Sequence, residues 1–329
     1  MKKIFKVLTV VSLLALFACG KENAKKESKE KVMAVLEQEK QQNEGKVVKI
    51  RATDYVVEPS KSDIKNMVLV EKGVTSKENG SVEVTHDFYV GTYEVTNEEY
   101  LEFLNSYGVE KDGTYKGKPL ISLTEEESQI GYDGEKFFIK PWKDNHKNDL
   151  DLKRFPVMNV SWYGATAYCN WLSEKNKLQK AYNEEKWEVI KDDKIPKVKG
   201  YRLATAKEWE YAARGGKNGK PTKYAGSDDA DEVAWHSHNA KEKINSNLGL
   251  NLGTHSVGEK KPNELGIYDM SGNVCEWTNY IYENGVAYFG GGFLQRTKDW
   301  ALEVNAFNYG NPIGADDVSR GFRIFKTKL

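Results

Sequence analysis

Past Gly216 the sequence runs to its end in long polar stretches rich in Gly and Asn, broken only by brief apolar runs. Regular structure is therefore expected to be sparse there, and a loop-rich half of this kind carries function when a rigid scaffold supports it. That scaffold has to come from earlier in the chain, where three helix starts carry signals that satisfy otherwise orphaned backbone N–H groups. Thr96-Asn97-Glu98-Glu99 has the form of a capping box, followed by Tyr100, Phe103 and Leu104 on one face. Ser161 can cap a helix from Trp162 to Lys175, in which Ala165, Tyr168, Cys169 and Leu172 recur at helical spacing, so Cys169 reads as a core residue. Thr205-Ala206-Lys207-Glu208 is a second capping box, with Trp209, Ala212 and Ala213 inward and Gly215-Gly216 as the stop. Met67-Val68-Leu69-Val70 and Val82-Glu83-Val84 lie between Gly and Asn turn signals and read as strands.

The 329 residues balance 49 Lys+Arg against 49 Asp+Glu, which excludes a strongly basic nucleic-acid binder. Eight Trp, 18 Tyr and 12 Phe supply a large core, while a mean hydropathy of -0.68 excludes a multi-span membrane protein. Three cysteines cannot build a disulfide framework. The amino terminus reads as targeting sequence: Lys2, Lys3 and Lys6 precede an apolar run from Val7 to Phe17 that is too short for a stable span. Leu16-Phe17-Ala18-Cys19 then has the pattern of a lipobox, so residues 1–18 are expected to be a lipoprotein signal peptide and Cys19 the lipidated first residue of the mature chain. Residues 19–50 are rich in Lys, Glu, Gln and Asn and read as a charged tether, leaving 51–329 as the folded domain.

No tandem repeat, Walker loop, His-Glu-x-x-His helix, paired Cys-x-x-Cys or Gly-x-Ser-x-Gly elbow is present. The recognisable segments are others: Asp87 to Asn97, Phe155 to Trp162, Gly200 to Thr205, Glu208 to Gly216, Asn263 to Trp277, Gly290-Gly291-Gly292-Phe293 and Arg320-Gly321-Phe322-Arg323-Ile324. In this order they resemble the formylglycine-generating enzyme, or sulfatase-modifying factor, family over roughly residues 65 to 329. The resemblance implies an α+β, loop-rich C-type lectin-like fold with short sheets and flanking helices. It also implies a copper-binding cysteine pair shortly after the Gly-Gly-Gly-Phe segment in members with oxidase activity. Gly292 to Asn305 contains no cysteine, so the thiolates that a copper site needs are missing and no copper is expected. Cys275, where relatives often have Trp, is expected to be buried. A structural calcium is implied beside Gly272-Asn273-Val274-Cys275-Glu276-Trp277, with Asn273, Glu276 and the Val274 carbonyl as oxygen donors; hydrogen bonding within the loop is an equal reading of the same residues. His236 and His238 have neither Cys nor a third His nearby and read as polar surface.

The stretch from Gly290 to Arg323 also resembles the variable region of retroelement-diversified proteins, in which adenine-specific mutation scatters Asn-type codons while a scaffold is kept. The variable region is expected at about 290–325. Its ligand-binding patch comprises Arg296, Asp299, Trp300, Phe307, Tyr309, Asn311, Ile313, Asp316 and Asp317, with Trp300 closer to scaffold than to the variable set. A Gly-Gly-Gly-Phe strand and a core strand through Gly321-Phe322-Arg323-Ile324 would hold it, and Phe307 divides evenly between display and core. The expectation is a surface-displayed, non-catalytic lipoprotein of the outer membrane that binds a protein or glycan partner. The alternatives are a sulfatase-modifying-factor-type enzyme and an envelope assembly lipoprotein.

Overall fold

The computed structural model describes residues 66–77, 80–125, 128–143, 148–240, 253–282, 285–289, 299–312 and 320–329. The signal peptide, Cys19, the tether and the Gly290 to Phe293 segment lie outside the described residues. Asn66–Leu329 forms one compact unit. In chain order it contains strands β1 (Met67–Val70), β2 (Gly73–Lys77), β3 (Gly80–Val84) and β4 (Phe88–Gly91), then helix α1 (Asn97–Ser106). Three small hairpins follow, β5 (Thr114–Tyr115) with β6 (Lys118–Pro119), β7 (Ile130–Tyr132) with β8 (Phe137–Ile139), and β9 (Trp142–Lys143) with β10 (Asp149–Leu150). Helix α2 (Trp162–Lys175), β11 (Tyr201–Arg202), α3 (Ala206–Ala213) and the single-turn α4 (Ala230–Val233) come next. The chain ends in β12 (Cys275–Tyr282), β13 (Gly285–Phe289), β14 (Phe307–Gly310), β15 (Arg320–Gly321) and β16 (Phe325–Thr327).

All three expected helices form with the expected caps. The Thr96 and Thr205 side chains accept from the N–H groups of Glu99 and Glu208, each completing a capping box, and Ser161 accepts from Gly164. Helix α1 buries Tyr100, Phe103 and Leu104 as its spacing requires, whereas α2 departs from a one-faced helix. Every α2 residue from Trp162 to Trp171 is buried, and Leu172 is only half-buried. Gly164 explains how α2 comes so close to its surroundings: a Cβ there would lie 2.1 Å from the Leu120 carbonyl oxygen. At the end of α3, Gly215 and Gly216 take φ values of 80° and 64°, the left-handed conformation that stops a helix at low cost.

Two four-stranded sheets organise the domain. The first has the order β1-β4-β16-β11, so the last strand of the chain lies between strands from its beginning and middle, with Phe325 opposite Val90 and Phe88 stacked on Phe325 at 5.7 Å. The second has the order β14-β13-β12-β15. The expectation of sparse structure past Gly216 is thus too strong, since β12 alone has eight residues. Gly321 to Ile324 is likewise not one strand: β15 pairs with β12 in the second sheet, the chain crosses at Phe322 and Arg323, and β16 joins the first. Phe322 makes that crossing apolar, packing at 5.3 Å from Tyr168 and 6.0 Å from Tyr100. One core lies around α1, α2 and Trp277, and a second between the first sheet and α3.

A buried ion pair ties α3 to the first sheet. Arg202 of β11 donates to both oxygens of Glu208, at 2.8 and 2.6 Å, and to Thr327 of β16 at 3.0 Å, while His86 lies 2.8 Å from the same carboxylate. Burial raises the Glu208 pKa, but the charge of Arg202 and the hydrogen bonds from His86 and Arg202 outweigh it and bring the value down to about 2. A carboxylate depressed in this way stabilises the fold fully above its unfolded value of 4.5 and loses that contribution as pH falls toward 2. Glu208→Gln is expected to destabilise the domain by roughly 3 to 5 kcal/mol at neutral pH, because it strands Arg202 in the core. Urea denaturation from pH 7 to pH 3 checks this; the loss should shrink below pH 4.5, where the carboxyl group of the unfolded chain takes up a proton while the folded one, near 2, stays ionised.

Candidate functional site

The loop before β12 is held by two acceptors buried beneath it. Asp269 and Asn273 both adopt φ of 57° and Gly272 a φ of 84°, which turns the chain sharply into the strand. The Asn273 amide donates to Glu94 at 2.7 Å and its oxygen accepts the His255 N–H at 3.0 Å, while the Val274 N–H donates to Glu94 at 3.1 Å. Two residues on, Glu276 accepts from Arg323 Nε and Nη2 and from Trp209 Nε1, at 2.7 to 2.8 Å. This donor set does not fit calcium: the side-chain oxygens of Asn273 and Glu276 already accept protein N–H groups, and a guanidinium supplies the positive charge. The loop-internal reading of Asn273, Val274 and Glu276 is the one that their geometry supports. Among the described residues no group of three or more His, Cys, Asp or Glu side chains is arranged to hold a metal ion. His236 instead lies 2.9 Å from Asp231.

Burial raises Asp269 to about 6, an effect only partly offset by the Gly258 N–H, and one of its oxygens has no hydrogen-bond partner. Burial also pushes Glu94 well above the ordinary carboxylate range, with the charges of Asp269 and Glu276 adding to it. Neither cysteine of the compact unit forms a disulfide: Cys169 lies inside α2 and Cys275 begins β12, both buried. Burial pushes the Cys169 thiol far up and keeps it neutral.

The expected binding patch maps to the second sheet and its approaches. Arg296, Ile313, Asp316 and Asp317 lie outside the described residues. Asp299 and Trp300 begin a 3-10 turn (Asp299–Leu302), Phe307 opens β14, Tyr309 is 45% exposed and Asn311 is exposed. β14 is an edge strand, and its register sets Tyr309 opposite Ala287 and Gly310 opposite Val286. Val286 enters the core, so Tyr309 points to the outer face by the pleat. On β12, past an irregularity in the pairing between Trp277 and Ile281, Tyr280 and Ile281 are both exposed, 38% and 52%, although Ile281 is opposite the buried Val286. Sequence reasoning passed over Tyr280, whose exposure follows no regular alternation: Thr278 and Asn279 before it are buried and Ile281 after it is exposed.

The inner side of this sheet is bolted down. Trp277 Nε1 donates to the Val160 carbonyl at 2.8 Å, and Trp162 Nε1 to the Thr278 carbonyl at 3.0 Å. The Arg320 guanidinium lies 5.1 Å from the Trp277 ring and packs closely on Gly310, 3.0 to 3.1 Å from where a Cβ would stand. The result is a sheet fixed on its inner side, with Tyr280 and Tyr309 exposed.

Comparison with known proteins bears on the lineage of this scaffold. The model of the sulfatase-modifying factor enzyme 1-like domain matches residues 36–328. The chain belongs to this family. It is similar to the chaperone protein LppX of Paenibacillus barcinonensis, 34% identical over 80% of this chain and 90% of that one. Among solved structures it is similar to CarF, 26% identical with a TM-score of 0.54 over 80% of this chain and 98% of that chain. Variable protein 1 of Treponema denticola shares 22% identity, with a TM-score of 0.50, over 80% of this chain and 95% of that chain. The fold is the C-type lectin-like fold of formylglycine-generating enzymes, as the sequence resemblance implied.

In this domain the carboxylates beneath the Asn263 to Trp277 segment make a pH response. A buried carboxyl group whose pKa is raised on folding costs stability above that pKa and ceases to do so once protonated. From pH 7 to about pH 5 the thermal midpoint is therefore expected to rise, as Asp269, at about 6 against 3.8 unfolded, takes up its proton. Asp269→Asn should flatten that rise in a calorimetric pH series.

Proposed function

We propose that this protein is a non-catalytic, lipid-anchored envelope protein that binds a ligand through the outer face of its second sheet. Cys19 carries the lipid, residues 19–50 are the tether, and the domain is displayed at the outer surface. The observation that carries the reading is the pairing of exposed Tyr280, Tyr309 and Asn311 with a floor fixed by Trp277, Trp162 and Arg320. Tyrosines give large contact area at low rotamer cost and Asn gives orienting hydrogen bonds, the mixture that adaptable binding faces use. Arg296, Asp299, Trp300, Phe307, Ile313, Asp316 and Asp317 complete the patch, and retroelement-driven diversification varies it over about 290–325. Non-catalysis is supported by the chain's cysteine inventory, since Gly292 to Asn305 offers no thiolate and Cys169 and Cys275 are buried on separate elements. A protein or glycan of the surroundings is the partner, with nucleic acid disfavoured by the zero net charge.

A second reading has its own support. LppX is named a chaperone protein, and the similarity extends over 90% of its length, so an assembly role in the envelope is the alternative. Sequencing the 3′ end of the gene across isolates, together with any near-identical template copy, separates the two. Differences confined to template adenines at the codons for Arg296, Asp299, Phe307, Tyr309, Asn311, Ile313, Asp316 and Asp317 are expected for a diversified receptor. An invariant segment, together with a stable envelope partner that survives Tyr280→Ser/Tyr309→Ser, would overturn that reading in favour of assembly.

A further inference from the structure

A cavity lies where the end of α3 meets the loop after it and the segment after the Asp299–Leu302 turn. It encloses about 560 Å³ and is lined by Lys77, Arg214, Thr222, Lys223, Asp228 and Glu303, with Asn305 at its edge. Its volume falls within the range of small-molecule sites. Arg214 caps the C-terminus of α3 and is only 6% exposed. Its Nε donates to Glu210, one turn back, at 2.9 Å, and Lys77 reaches the same Glu210 oxygen at 3.5 Å. Among the described residues neither Nη group of Arg214 has a hydrogen-bond partner. That edge of the guanidinium faces the cavity, and the single Glu210 carboxylate is shared between two cations.

The opposite walls carry acceptors. Asp228 accepts the Lys223 backbone N–H at 2.8 Å and is otherwise exposed, and Glu303 lies 3.6 Å from Lys223 Nζ. Thr222 donates its hydroxyl to the Tyr224 carbonyl and keeps its oxygen free to accept. Such walls repel a dianion such as phosphate or sulfate but can take hydroxyl protons. The unpaired edge of Arg214 in turn demands an oxyanion, and a planar guanidinium matches a carboxylate with two parallel N–H bonds. We infer that this cavity is a binding site for a saccharide bearing a carboxylate, a uronic acid residue, whose carboxylate is held by Arg214 and whose hydroxyls donate to Asp228 and Glu303.

The test is calorimetric titration of the full chain in detergent with sodium glucuronate, and with glucose, inorganic phosphate and glycine as comparison ligands. Glucuronate is expected to bind and the other three not to. Arg214→Gln should weaken binding roughly tenfold to a hundredfold, the effect of losing hydrogen bonds to a charged group. Asn305→Trp adds bulk to the cavity lining at an exposed position outside the Arg214–Glu210 pair; it should give a comparable loss with an unchanged thermal midpoint. Tyr280→Ser/Tyr309→Ser should leave glucuronate binding unaltered, which separates this site from the sheet face. Phosphate or glycine binding as tightly as glucuronate, no heat with glucuronate, or binding that survives Asn305→Trp would each overturn the proposal.

Discussion

The guanidinium of Arg323 is the point through which the two sheets of this domain are joined. It lies at the step where the chain leaves β15 and enters β16, and it donates to Glu276 of β12, to the Gly91 carbonyl of β4 at 3.1 Å and to the Tyr268 carbonyl at 2.9 Å. One side chain thus satisfies acceptors from both sheets and from the loop that precedes β12. Placing a full charge pair at about 1% exposure costs desolvation that its Coulomb attraction only partly returns. What it provides is specificity of arrangement: removing either partner leaves a buried charge, so the sheets have one way to meet. Arg202 and Glu208 repeat the device between the first sheet and α3.

Helices were legible in the sequence because their ends are chemically marked. Thr96, Ser161 and Thr205 are caps whose function depends on neighbours within three residues, and nothing distant can change what they do. The second sheet was not legible because its central strand violates the pattern by which strands are read. In β12, Thr278 and Asn279 are consecutive polar residues and both are buried, where alternation would turn one of the two outward. Asn279 pays for its burial by acting as a strand partner in miniature, since its amide exchanges hydrogen bonds with both the N–H and the carbonyl of Ile190, at 2.8 and 2.7 Å. That exchange links positions 89 apart and leaves no trace in local composition.

The same limit applies to the sites. Tyr309 and Asn311 could be placed by motif order, because Gly310 and Arg320 fix the strand that carries them. Arg214 sat in plain view within Glu208 to Gly216, but its meaning depends on Glu210 consuming one edge of the guanidinium while the other faces a cavity walled by residues from positions 222 to 228 and 303. Hydrogen-bond direction, unlike residue type, is a property of the folded arrangement.

The place of β16 has a consequence for how the gene can change. This strand is interior to the first sheet, flanked by β4 and β11, and Arg323 lies two residues before it. Any stop codon or shift of reading frame in the stretch upstream deletes a central strand and the residue that joins the sheets, leaving β4 and β11 without their shared neighbour. The fold thereby makes a complete first sheet conditional on an intact reading frame through everything upstream of β16.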